Sequence, residues 1–168
     1  MSILTLNCGS SSVKFSVFDS KQGDFICRGL VERVGSEESF LKLKHGEREI
    51  RLEEACPDHT AAVGLVLRVL TEGADSPVSD LASLRAVGHR TVHGGEKFAG
   101  SAKVTPQLIS ALEKLSALAP LHNPPNLSGI RAAQTLLPDI PHVAVFDTAF
   151  HQSMEPEAYL YPLPYEWY

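Results

Sequence analysis

Residues suited to holding an anion open this sequence. Asn7, Gly9, the three consecutive hydroxyls of Ser10, Ser11 and Ser12, and Lys14 lie between an apolar run (Ile3, Leu4, Leu6) and an alternating one (Val13, Phe15, Val17). The pattern predicts a hairpin with a polar tip. Such a turn gathers backbone N–H groups, hydroxyls, one amide and one cation, which is what a phosphate group requires. The ordinary alternative is an edge hairpin whose Gly and Ser merely close a tight turn, and these residues alone weigh the two evenly. Two further polar clusters, Arg90 to Gly95 and Asp147 to His151, follow apolar runs at Ala86–Val92 and His142–Phe146.

Other chemistries are excluded. His89 and His93 have the i, i+4 spacing of a zinc helix, but the segment lacks the HExxH glutamate and reads as strand into loop, where that spacing does not share a face. Gly94-Gly95 fits neither the Walker pattern nor the dinucleotide fingerprint. Cys8, Cys27 and Cys56 are odd in number and show no CxxC spacing, so neither a disulfide framework nor a thiolate zinc site is implied. A formal net charge of -5 without a basic run gives a nucleic-acid partner no support. No apolar stretch reaches membrane-spanning length and no signal-type N-terminus is visible, so the expectation is a soluble cytoplasmic protein.

The elements that must position these clusters follow from periodicity. After the first hairpin, Phe25 to Val34 continues a three-stranded meander, and Phe40–Lys44 with Glu49–Leu52 forms a smaller, more polar hairpin. Val63, Val66, Leu67 and Leu70 then mark an amphipathic helix, with Asp58 as its cap and Gly73 as its stop. A turn-rich link at Ala74–Ser79 leads to a short helical piece at Asp80–Leu84 and the strand that carries Arg90. Thr105 caps a second helix with Pro106 at its first position and Leu108, Ile109, Leu112 and Leu115 as its buried stripe. Leu121 to Asn126 reads as an extended crossing because residues before proline leave the helical region. Asn123 is a candidate cap for a third helix reaching Leu137. With 43% hydrophobic residues, 168 positions build one α/β domain, a mixed sheet flanked by helices. Ligands of such sheets gather at the carboxyl ends of strands, and there the three polar clusters can converge.

Four segments carry a resemblance. Leu6–Lys14, Gly88–Glu96 (GHRTVHGGE), Pro120–Pro124 (PLHNP) and Phe146–Gln152 (FDTAFHQ) resemble the motifs of the acetate kinase family, in the family's order and across the whole chain. Thr91 and Ser153-Met154-Glu155 depart slightly from the family pattern. The larger departure is length, since family members continue through a second domain. The resemblance implies a ribonuclease H-like, actin-like ATPase domain over residues 1–168, the first of two, with most of the nucleotide pocket in the second.

The implied chemistry is reversible transfer of the γ-phosphoryl of ATP to acetate, giving acetyl phosphate and ADP. Propionate or butyrate are alternative acceptors, because one methylene changes discrimination by only about 1 to 3 kcal/mol. A non-catalytic binding fragment and another actin-like ATPase are alternatives of a different class, the second opposed by the GHRTVHGGE and FDTAFHQ segments. By the resemblance, Asp147 and His122 are catalytic; Arg90, Val92 and Leu121 bind the acceptor; Ser10, Ser12 and Lys14 face phosphate; Asn7 lies on the magnesium side. Mg2+ is the implied cofactor and a homodimer the implied full-length assembly. Acetate arrives ionised, so no general base is required, and Asp147 is expected to orient Arg90, magnesium or water.

Overall fold

The computed structural model describes residues 1–73 and 76–167. Positions 74 and 75, within the expected turn-rich link, and Tyr168 lie outside the described residues. Strands β1 (Ser2–Cys8), β2 (Ser12–Asp19), β3 (Phe25–Glu32), β4 (Phe40–His45) and β5 (Arg48–Glu53) form the meander and its polar extension. Helix α1 (His59–Thr71) precedes β6 (Leu84–Thr91) and the two-residue β7 (Ala102–Lys103). Helices α2 (Pro106–Leu115) and α3 (Asn123–Leu136) lead to β8 (His142–Phe146), a 3-10 turn at Asp147–His151, and the short α4 (Pro156–Tyr159).

One eight-stranded sheet runs in the order β5-β4-β3-β2-β1-β6-β8-β7. β6 is parallel to both β1 and β8, and the remaining pairs are antiparallel. This is the expected mixed sheet. Alternation along the strands decides which face is covered. Leu4, Leu6, Val13, Phe15, Val17 and Val87 are buried under α1 and α3, which pack on each other and on β1, β2 and β6, while Ala144 on the same face packs with residues of α2 and α3. Thr5, Asn7, Lys14, Gly88, Arg90 and Val145 therefore occupy the opposite face, as their cross-strand registers show.

The helix ends obey the expected chemistry. Asp58 Oδ1 accepts the Ala61 N–H at 2.8 Å, and Gly73, with φ 102, follows the end of α1. Thr105 Oγ1 accepts the Leu108 N–H at 3.2 Å ahead of Pro106.

Two expectations are corrected. Leu121–Asn126 is not an extended crossing: a turn ends at His122 and α3 begins at Asn123, with Pro124 and Pro125 in the first turn, where a missing N–H costs nothing. Nor does Asn123 cap that helix. His122 holds the cap position without a side-chain bond, and the Asn123 amide is used elsewhere. The edge strand β7 was not foreseen, being only two residues long.

Candidate active site

Parallel β1, β6 and β8 end together, and their C-terminal residues meet on the open face. Arg90, the penultimate residue of β6, donates from Nε to Asp147 Oδ1 at 3.2 Å and from Nη2 to Asp147 Oδ2 at 2.5 Å. Its Nη1 donates to Asn7 Oδ1 at 3.3 Å. A planar fork held at both prongs has one orientation. The Arg90 and Asp147 side chains are 47% and 42% exposed, so the pair remains open to a ligand. Lys14, the register partner of Asn7, lines the same depression as Arg90, Thr5 and Val145.

The other expected residues are distributed less tightly. Ser10 is exposed at the hairpin tip, while the Ser12 carbonyl accepts the Gly9 N–H at 2.8 Å and closes the turn. Val92 is partly buried and follows β6. Leu121 is 76% exposed, and the exposed His122 ring makes no hydrogen bond among the described residues. The structure thus joins Arg90, Asp147 and Asn7 by hydrogen bonds and sets Lys14 in the same depression. Leu121 and His122 stand at the entrance to α3.

Residues to which the sequence assigned no role in the site hold this arrangement. Asn126 Oδ1 accepts the Val92 N–H at 3.0 Å, and its Nδ2 donates to the Cys8 carbonyl at 2.7 Å. One buried amide therefore ties the end of β1 to the end of β6. Asn123 Oδ1 accepts the His93 N–H and Nδ2 donates to the His93 carbonyl, both at 3.2 Å. Thr148 Oγ1 accepts the Gly94 N–H at 3.2 Å, and Gln152 Nε2 donates to the Gly95 carbonyl at 3.1 Å. Gly95 has φ 59, the left-handed region open to glycine without strain. The signal that marks Asn123 and Asn126 is their i, i+3 spacing on the buried stripe of a helix, where an amide must find partners.

Behind Arg90, on the helix-covered face, lies a buried histidine pair. His142 Nε2 is 3.0 Å from the Leu137 carbonyl, which can only accept, so this nitrogen carries the proton. Its Nδ1 then accepts from His89 Nε2 at 2.9 Å. Burial, with the neighbouring His142 second, pushes the His89 value down to about 3. Burial also lowers that of His142, against the opposing effect of the Leu137 carbonyl. Both rings are neutral and bridge β6 to β8. The three cysteines are free and buried, and no cluster of three His, Cys, Asp or Glu residues that could hold a metal occurs among the described residues.

Residues 2–168 match the model of the acetokinase family. Over 169 aligned residues the chain is 52% identical to the acetate kinase of Geobacter metallireducens, using all of this chain and 40% of that relative. It is 51% identical to the acetate kinase of Pseudothermotoga lettingae, covering 42% of it. The crystal structure of Porphyromonas gingivalis acetate kinase superposes with a TM-score of 0.94 at 46% identity, over 99% of this chain and 42% of that one. A propionate kinase from Francisella tularensis superposes with a TM-score of 0.87 at 37% identity, over 98% and 41%. The chain therefore spans about two-fifths of the length of these relatives, and the actin-like ATPase fold expected from the motifs stands. By the match of a family model along nearly its whole length, this chain belongs to the acetokinase family.

Proposed function

We propose that this chain is the acceptor-side domain of an acetate kinase, which transfers a phosphoryl group between ATP and acetate. The observation that carries the reading is the Arg90 fork, held by Asp147 and Asn7 at the ends of three strands, in a chain of this family. Acetate is ionised at neutral pH, so the task is to hold two anions in line and neutralise charge as it moves. Arg90 supplies a cationic fork for the acetate carboxylate or the transferring phosphoryl. Asp147 orients that fork and removes no proton. Ser10, Ser12 and Lys14 face phosphate, His122 donates to the transferring group, and Val92 with Leu121 walls the acceptor methyl.

Magnesium is the cofactor of this reading. Asn7 Oδ1 and both Asp147 oxygens accept from Arg90 here and keep further lone pairs, a sparse set of hard donors that suits Mg2+, which keeps waters and phosphate oxygens as most of its ligands. When bound, the ion neutralises phosphate charge. Asn7 and Asp147 are the residues that would hold it.

The phosphoryl donor is assigned mainly to a second domain in a polypeptide of the relatives' length, so the 168-residue chain alone has little or no turnover. The reading includes a cytoplasmic homodimer with no nucleic-acid or membrane partner. Propionate is the second acceptor to consider, because the Francisella tularensis propionate kinase shares this architecture. The test is hydroxamate-trapped acyl phosphate formation from Mg-ATP with acetate, propionate or butyrate, on the full-length polypeptide carrying this chain. Turnover highest with acetate is expected. Highest turnover with propionate would move the acceptor, and none with any carboxylate would overturn the reading.

A further inference from the structure

The open face of the sheet carries a second cationic cluster, on the meander and away from Arg90. Register places Lys42 directly beside Arg51, and Arg28 directly beside Lys44 in the next row of the same face. Lys14 heads the first of these rows on β2, with Leu30 between it and Lys42 as an apolar floor. Neighbouring strands lie about 4.8 Å apart, so these five cations fall within about 15 Å of one another.

Two features mark the cluster as more than a solvated face. Like charges directly opposite on antiparallel strands destabilise a sheet, yet two such pairs occur side by side in a chain whose net charge is -5. Compensation is incomplete as well. Lys44 is 4.0 Å from Glu49, and Arg51 is 3.3 Å from Glu53, with its guanidinium 3.9 Å from the Phe40 ring centre. The Arg28 side chain has no hydrogen bond or ion pair among the described residues. The cations line a depression of about 580 Å³ in which Glu49 is the single carboxylate.

We infer that this depression binds a short linear polyphosphate, either free or as the tail of a nucleotide. Its volume falls in the range of small-molecule sites, about 300 to 1,000 Å³. An acidic peptide fits less well, because β2, β3 and β4 are already paired on both edges, and backbone for an added strand remains only along the outer edge of β5. Phe15, Leu30, Leu43 and Ile50 also line the depression, among five cations that outnumber its one carboxylate, and it is this charge that selects a polyanion. The inference goes beyond the phosphoryl-transfer reading and does not rest on it, although Lys14 borders both sites.

The experiment is calorimetric titration of the 168-residue chain with sodium tripolyphosphate and, separately, with ATP. The variants are the double Arg28→Ala/Lys44→Ala, its counterpart Arg28→Gln/Lys44→Gln, and Arg90→Ala. Saturable one-to-one binding of tripolyphosphate is expected. Each double variant should weaken it by at least about tenfold, the loss of one or more charge-assisted contacts, while Arg90→Ala leaves it within about twofold on the same scale. Equal affinity for ATP identifies a site for the phosphate chain alone, and tighter ATP binding identifies the nucleotide as its source. Removing a like-charge opposition should leave the melting temperature of both double variants no lower than that of the parent, and the glutamine pair retains side-chain bulk. No saturable binding, binding unchanged in both double variants, or binding lost with Arg90→Ala would overturn the inference.

Discussion

Arg90 on β6 and Asp147, first residue of the turn after β8, hold each other by two parallel hydrogen bonds, and the guanidinium's remaining terminal nitrogen reaches Asn7. Both side chains are nearly half exposed, so the pair contributes little to stability, at most about 1 kcal/mol. Asp147→Asn is therefore expected to leave the urea midpoint of the chain almost unchanged. A shift equivalent to several kcal/mol would show that the pair supports the fold rather than the site.

Asn126 is expected to behave in the opposite way. Its amide serves the Cys8 carbonyl and the Val92 N–H from a position only 4% exposed. Asn126→Ala leaves both groups without partners and should destabilise the chain by about 2 to 4 kcal/mol, measured by urea unfolding. Ser128→Ala on the exposed side of the same helix serves as the control, because its hydroxyl only returns to the Pro124 carbonyl.

Gly129 lets α3 approach β1. A Cβ at this position would lie 2.2 Å from Cys8 Sγ and 2.6 Å from its Cβ. Gly129→Ala is expected to destabilise by about 1 to 3 kcal/mol despite alanine's higher helix propensity. Cys8→Ala removes the sulfur, so the double variant should recover part of that loss. Strict additivity in the cycle would show that the two residues do not share the contact.

The His89–His142 pair predicts an acid-sensitive fold. Both folded-state values lie below the ordinary 6.5, His89 at about 3, so the folded chain binds fewer protons than the unfolded one. Their contribution is whole above pH 6.5 and is lost as pH falls toward 3, with His89 accounting for about 1.4 kcal/mol per pH unit over most of that window. Denaturant unfolding between pH 7 and 4 measures the slope. His89→Gln retains an N–H donor for His142 and should flatten the slope by about one proton, whereas an unchanged slope would assign the acid sensitivity to carboxylates.

Much of this architecture was legible because period and punctuation agreed. An apolar run marked β1, alternation marked β2, a further strand pattern at Phe25–Val34 marked β3, and the Asp58 and Thr105 caps with Pro106 and Gly73 bounded α1 and α2. Arg90, Asn7 and Asp147 were legible as strand-end residues, and their convergence follows from β1, β6 and β8 lying parallel and adjacent. The start of α3 was not legible. Two prolines after Asn123 favour extended backbone locally, and the two hydrogen bonds to His93 that hold Asn123 come from a segment thirty residues away. Separations of 34 and 118 residues hid Asn126, whose partners are Val92 and Cys8. Local pattern reports propensity, whereas these amides are fixed by tertiary contacts.

The measurement that bears most directly on the account is acetyl phosphate formation from acetate and Mg-ATP by the full-length polypeptide carrying this chain, compared with its Arg90→Ala and Asp147→Asn variants. The account predicts turnover in the parent, a fall of about 100-fold or more in each variant from the loss of oriented positive charge, and unchanged folding. Turnover indifferent to both substitutions would contradict the assignment of this site.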